Sequence, residues 1–72
     1  MTYRFTTIIF KEGKWFVAHC VELGVVSQGK TIEKAQDNLK EAIELFLEDQ
    51  PNPKQFQRKS DPIVTTLELK HA

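Results

Sequence analysis

The segment from Gly24 to Leu47 constrains the fold of this chain most strongly, because it supports two incompatible structures. It reads GVVSQGKTIEKAQDNLKEAIELFL. The segment opens with the phosphate-loop pattern G-x-x-x-x-G-K-[ST], which is typical of nucleotide-binding proteins. The same residues also fit a short strand from Val25 to Gln28, a tight turn at Gly29-Lys30 and an amphipathic helix capped by Thr31. The choice between these two structures decides which function the sequence predicts.

A phosphate loop needs further elements that this chain does not supply. Its Mg²⁺ is held partly by a carboxylate, commonly at the end of a second buried strand of a parallel sheet. The later apolar run, Ile63 to Leu69, alternates with polar residues as a half-exposed strand does. Each parallel connection also takes about a dozen residues or more. We therefore predict the strand, turn and helix, and keep a nucleotide-binding protein as a minor alternative.

Two alternating segments upstream predict the rest of an antiparallel sheet. Tyr3 to Lys11 is predicted as the first strand, and Trp15 to Val21 as the second. Between them lies the turn Glu12-Gly13-Lys14, in which the glycine can adopt positive φ. With Val25 to Gln28 as the third strand, these segments form a three-stranded meander.

The amphipathic helix has clear start and stop signals. Thr31 is a suitable N-cap, and Glu33 in the first turn matches the positive end of the helix dipole. Pro51 and Pro53 cannot continue a helix, so the helix should end near Asp49. Its apolar stripe consists of Ile32, Ala35, Leu39, Ala42, Ile43, Phe46 and Leu47. A stripe with this three- and four-residue spacing predicts a helix that packs on the sheet.

A last alternating segment, Ile63 to Lys70, predicts a fourth strand. It is expected to join an edge of the same sheet or to pair with a second copy of the chain. The predicted fold class is therefore α+β: a three-stranded antiparallel meander, one amphipathic helix packed on the sheet, then a C-terminal strand (β-β-β-α-β) in a single domain over residues 1–72. One helix covers one face of the sheet, and the apolar character of the other face predicts self-association or a protein partner.

Size and composition limit the classes of function. At 72 residues the core is only marginally sufficient, so a homo-oligomer, either a dimer or a tetramer, is expected. The absence of an apolar run of roughly 20 residues or of a signal segment predicts a cytoplasmic protein with no membrane contact. One cysteine and two histidines imply neither a disulfide framework nor a zinc site, and no cofactor is expected.

No catalytic residues are predicted. Cys20 and His19 are neighbours on a strand and point to opposite faces, so they cannot pair directly. The first strand carries no carboxylate before Glu12, whereas two-metal nuclease chemistry needs converging carboxylates.

Charge is unevenly distributed along a chain whose formal net charge is zero. Residues 33–49 hold six carboxylates against two lysines, which gives this segment a net charge of −4. Such a face is usually only solvated, but it also suits docking to a basic partner. The candidate partner-binding residues recur at steps of three and four residues: Asp37, Glu41, Glu44 and Glu48.

The order and spacing of a larger set of residues, spread over about two thirds of the chain, carry a family resemblance. These residues are Tyr3, Glu12-Gly13, Trp15, Ala18, Cys20, Glu22-Leu23-Gly24, Ser27-Gln28-Gly29-Lys30-Thr31, Glu33-Lys34-Ala35, Asn38-Leu39, Glu41-Ala42-Ile43-Glu44 and Leu47-Glu48. In this set the chain resembles HicB-type antitoxins. The resemblance implies a partial ribonuclease-H-like fold and a role in neutralising a small basic mRNA-cleaving toxin, HicA. Many HicB antitoxins also carry a C-terminal DNA-binding module. No such module follows the predicted fourth strand here, so this chain alone is not expected to bind DNA.

The sequence therefore predicts a non-catalytic antitoxin that binds a HicA-like toxin and covers its RNA-cleaving site. The alternative is an orphan oligomeric module that binds RNA or another nucleic acid. That alternative depends on Lys54, Arg58 and Lys59, which surround Phe56. An aromatic ring among cations can stack on a base while the cations contact phosphate, although such a ring more often anchors a loop to the core.

Overall fold

The computed structural model describes residues 2–56 and 60–71. The elements in chain order are β1 (Thr7–Glu12), β2 (Trp15–Cys20), β3 (Val26–Gly29), α1 (Ile32–Glu48) and a single 3-10 turn (Pro53–Phe56). The strands form one antiparallel sheet in the order β1-β2-β3. The predicted α+β class, the meander and the packed helix are confirmed.

The β1–β2 hairpin sets the register of the sheet. Gly13 takes a φ of 59° in the turn, as predicted. Ile9 lies opposite Ala18, and Phe10 lies opposite Val17. Opposed residues share a face, so Ile9 and Ala18 face the helix whereas Phe10 and Val17 face away from it.

β1 begins later than predicted, at Thr7 rather than Tyr3. β2 ends at Cys20 and the chain then turns, so it offers little backbone for the residues before Thr7 to pair with. Just before β1, the backbone amide of Val21 donates a hydrogen bond to the carbonyl oxygen of Thr6 at 2.9 Å. The Thr6 amide in turn donates to the Glu22 carboxylate at 2.7 Å, which ties the start of β1 to the turn after β2.

β3 runs into α1 through a close backbone contact. Val26–Gly29 pairs with β2 along its length, so the residues that would wrap a phosphate are held in an antiparallel strand. Gly29 is the last strand residue rather than part of the predicted tight turn. A Cβ atom built on Gly29 would lie 2.5 Å from the Ala35 amide nitrogen. Glycine is therefore required here because the helix backbone lies directly against this residue.

The helix begins and ends close to the predicted positions. The Thr31 hydroxyl accepts a hydrogen bond from the Lys34 amide at 3.0 Å, and the C-cap is Asp49. α1 lies over β2 and β3. Asn38 fixes this placement, because its side-chain amide donates to the carbonyl oxygen of Gln28 in β3 at 2.8 Å.

The core lies between α1 and the sheet and is small. Its fully buried side chains come from β2 and from one stripe of the helix, and Leu39, 1% exposed, is the largest of them. The core cluster consists of Ala18, Cys20, Ala35, Leu39 and Ile43, with Phe5, Ile9, Phe16, Leu23, Val25 and Leu47 packed around it. Burying one large apolar side chain stabilises a fold by about 1.5–3 kcal/mol, so few such side chains give a modest margin.

The predicted fourth strand is not confirmed. Residues 60–71 are in neither helix nor strand, and all of them are exposed. A strand exists only when its backbone pairs with another strand, and within the described residues none lies beside this segment. Upstream, the Phe56 ring packs edge-on against Phe46 with 5.5 Å between ring centroids, which confirms Phe56 as an anchor for the segment after the helix. In the described ranges, no helix has the length and apolar character to cross a membrane.

Candidate protein-docking surfaces

The predicted acidic residues form one stripe on the solvent side of α1. We call Asp37, Glu41, Glu44 and Glu48 the acidic stripe; all four side chains are exposed. At 3.6 residues per turn, they lie on the side of the helix opposite the buried Ala35, Leu39 and Ile43. The structure therefore brings together the carboxylates that the sequence selected.

The acidic stripe continues to the C-terminal end of the helix, where negative charge is unfavourable. The last turn contains no basic residue, although that end of a helix favours cations. Glu48 lies there, next to the C-cap Asp49. Helix stability alone does not account for these carboxylates.

An exposed leucine lies beside the acidic stripe. Leu45 is 60% exposed and is separated from Glu41 and Glu48 by one helical turn in either direction. Protein interfaces commonly combine a few apolar anchors with a charged rim. The sequence prediction did not include Leu45, although the residue falls outside the apolar stripe of the helix, which is the signal that would have found it.

A groove runs along the flank of α1 that faces β1. Its volume is about 530 Å³, and its walls come from the N-terminal strand region and from the helix. The lining residues are Tyr3, Phe5, Thr7, Gln36, Leu39, Lys40, Ile43 and Glu44. The Tyr3 and Phe5 rings stack with 6.4 Å between their centroids and form an apolar wall. The groove exists because α1 lies mainly over β2 and β3 and leaves part of the helix-side face of β1 open.

The sheet face opposite α1 has no helix over it among the described residues. It carries Ile8 and Phe10 from β1, Trp15 and Val17 from β2, and Val26 from β3. Phe10, Trp15 and Val26 are 42–55% exposed. Lys30 extends over the Trp15 ring, with its Nζ atom 5.9 Å from the ring centroid. The apolar face expected from the sequence is therefore present, next to a cation.

The side chains of Cys20 and His19 lie on opposite faces of β2. Cys20 is fully buried in the core, and burial raises the pKa of its thiol, which keeps it protonated at neutral pH. His19 lies on the other face of β2, opposite Ile8 and Val26. Within the described ranges, no group of three or more His, Cys, Asp and Glu side chains is arranged to hold a metal ion.

The basic segment of the RNA-binding alternative is only partly visible. Arg58 and Lys59 lie outside the described residues, and the side chain of Lys54 is not described either. Phe56, the aromatic residue of that segment, is half-buried against Phe46 rather than presented for stacking on a base. The predicted nucleic-acid contact stays a prediction.

Comparison with known proteins places the chain in a family. A UPF0150 protein from Helicobacter pylori (strain J99) is 42% identical over 50 residues, which cover 68% of this chain and 69% of that protein. The chain belongs to the UPF0150 family. No family model and no solved structure matches it. The UPF0150 name states no activity or ligand, so any function proposed for this member has to be argued from the surfaces described above.

Proposed function

We propose that this UPF0150 protein is a non-catalytic, HicB-like antitoxin that binds a small basic HicA-like mRNA interferase and covers its RNA-cleaving site. The observation that carries the proposal is the acidic stripe, four exposed carboxylates along one side of α1. A basic nuclease presents cations where it holds the phosphates of RNA. A row of carboxylates on a rigid helix competes for those cations, speeds association and selects a partner by charge.

Leu45 supplies the apolar contact that a charged surface alone lacks. Salt-screened surface pairs contribute little affinity, whereas a desolvated apolar anchor contributes much more. Leu45, beside Glu41 and Glu48, is suited to insert into an apolar pocket of the partner while the carboxylates surround it. Two further features support the proposal: the resemblance of the chain to HicB antitoxins and the antiparallel pairing of β3, which disfavours a phosphate loop.

The first test is functional. The small basic reading frame next to the gene is expressed with and without this protein, and growth and mRNA integrity are measured. We expect growth arrest with mRNA decay, reversed by co-expression, and a stable complex of the two purified proteins. Toxicity that this protein does not relieve, or a neighbour that is not toxic, would contradict the antitoxin proposal.

The second test locates the docking surface. Glu41→Lys combined with Glu48→Lys reverses two charges of the acidic stripe and avoids Glu44, which also lines the groove. We expect a loss of toxin affinity of about tenfold or more, since like charges placed opposite each other cost several kcal/mol. The control, Glu12→Lys, reverses one charge at an exposed site on β1 and is compared with Glu41→Lys alone, which makes the same charge change within the acidic stripe. Equal affinity of both variants would exclude the acidic stripe as the docking site.

A further inference from the structure

The outer edge of β1 and the groove beside it form one unoccupied surface. β1 is an edge strand, and within the described residues its outer side pairs with no strand. On the helix side of this edge, Phe5 and Thr7 face Leu39 and Ile43 across the groove. A strand added along this edge would extend the sheet, and its helix-side residues would enter the groove.

The C-terminal segment has the sequence that such a strand requires. Ile63, Leu67 and Leu69 occupy alternate positions together with Thr65, so an extended backbone places them on one face. Here these three residues are 80–89% exposed, which is unusual for large apolar side chains at such spacing. The other face, from Val64 to Lys70, is more polar and carries Glu68. The apolar face of the segment therefore suits the groove, and its more polar face suits the opposite, partly solvated side of the sheet.

We propose that Ile63–Leu69 of one copy pairs as a strand with the outer edge of β1 in a second copy. Ile63, Leu67 and Leu69 then fill the groove between the partner's β1 and α1. The exchange is reciprocal, so one type of contact is made twice and the assembly closes as a dimer. The proposal concerns contacts between copies of this chain and does not depend on the antitoxin function.

Three observations identify a second copy as the occupant. In the single chain the segment is exposed and does not lie on its own β1 edge. The contact of Phe56 with Phe46 holds the chain near the C-terminal end of α1, upstream of the segment, and the segment itself makes no strand with the sheet of its own chain. The core of one copy is small, and the exchange adds apolar burial at both grooves, which is what a chain of this size needs.

The test compares oligomeric states in solution. The full chain is measured by size-exclusion chromatography with light scattering, and we expect twice the mass of one chain. Leu67→Glu combined with Leu69→Glu places two carboxylates in the groove and should give a folded monomer, with the helical circular dichroism signal retained because both side chains are exposed in the single chain. The control, Val64→Glu combined with Thr66→Glu, makes the same charge change on the opposite face of the segment and should remain a dimer.

A second measurement identifies the partner of the segment. A mixed sample of isotope-labelled and unlabelled protein is examined by filtered NMR, and we expect contacts between copies from Ile63, Leu67 or Leu69 to the Tyr3 and Phe5 rings. A monomer with freely exchanging amides in the segment would overturn the proposal. So would a monomer with protected amides, which would show that the segment folds back on its own sheet. A dimer that persists in the Leu67→Glu, Leu69→Glu variant would show that the copies meet elsewhere, such as at Phe10 and Trp15.

Discussion

At the scale of single residues, Gly29 controls how closely β3 and α1 approach. Its hypothetical Cβ would lie 2.5 Å from the Ala35 nitrogen and 2.8 Å from the Lys34 carbonyl carbon, which are backbone atoms that cannot rotate away. We expect Gly29→Ala to lower the free energy of unfolding by about 1–3 kcal/mol, the usual cost of overpacking. Urea denaturation monitored by circular dichroism measures the change.

A matched glycine substitution separates crowding from backbone conformation. Gly24 has a φ of 70° and open space around its Cβ position, so Gly24→Ala reports the cost of positive φ alone, about 1–2 kcal/mol. Gly29 has no such φ, and any loss in Gly29→Ala reflects the contact with α1. Wild-type stability of Gly29→Ala would contradict the packing role and leave this glycine of the phosphate-loop pattern unexplained.

At the scale of elements, α1 combines a stabilising start with an unfavourable end. Thr31 caps the N-terminus and Glu33 lies in the first turn, whereas the last turn has no basic residue. We expect Glu48→Lys to raise the free energy of unfolding by about 0.3–1 kcal/mol, because a cation interacts favourably with the C-terminal end of the helix dipole. Thermal unfolding at low and high salt measures the gain, which should shrink as salt screens it.

The same substitution links stability to the proposed function. Glu48→Lys should stabilise the isolated protein and weaken toxin binding. A positive charge at this position suits the C-terminal end of the helix dipole, whereas a negative charge attracts the basic partner. Glu48→Gln removes the charge without reversing it and should fall between wild type and Glu48→Lys in both measurements. A variant that is less stable than wild type would show that Glu48 makes a stabilising contact in the isolated chain.

Elements with local signals were the ones the sequence predicted well. The helix was predicted to begin after Thr31 and to end near Asp49, and it spans Ile32–Glu48. Both ends were predictable because the Thr31 cap and the two prolines act on the residues next to them. The start of β1 was placed too early, because it depends on where β2 turns rather than on the alternation from Tyr3. The fourth strand was predicted from alternation alone. Alternation does not show whether another strand lies beside the segment, and a strand needs such a partner to form.

The candidate surfaces divide in the same way. The exposure of the acidic stripe on one side of α1 follows from helical spacing, since the exposed positions of a helix are fixed once the buried stripe is known, whereas its contact with a partner stays a prediction. The groove was not predicted, because it depends on α1 lying mainly over β2 and β3 and leaving part of β1 uncovered. That placement depends on the close approach of the helix backbone to Gly29 and on the hydrogen bond from Asn38 to Gln28. Hydrophobic spacing does not reveal such tertiary contacts.

At the scale of the whole molecule, the three candidate surfaces lie on different sides, and the acidic stripe and the groove adjoin at Glu44. The acidic stripe lies on the outer side of α1, the groove runs beside β1, and the open sheet face lies on the opposite side of the sheet. Strand exchange at the groove therefore leaves Asp37, Glu41 and Glu48 exposed. A dimer assembled in this way presents two copies of Asp37, Glu41 and Glu48, and we expect it to bind two partner molecules.

This assembly predicts that stability depends on protein concentration. Dissociation and unfolding of a strand-exchanged dimer are linked, so each tenfold rise in concentration adds about 1.4 kcal/mol to the free energy of unfolding per dimer. We expect the unfolding midpoint of the wild type to rise with concentration in scanning calorimetry. Leu67→Glu combined with Leu69→Glu should unfold at one midpoint at every concentration, because its C-terminal segment no longer enters the groove. A wild-type midpoint that does not move would mean that each copy folds and unfolds alone, which would contradict the strand-exchanged dimer.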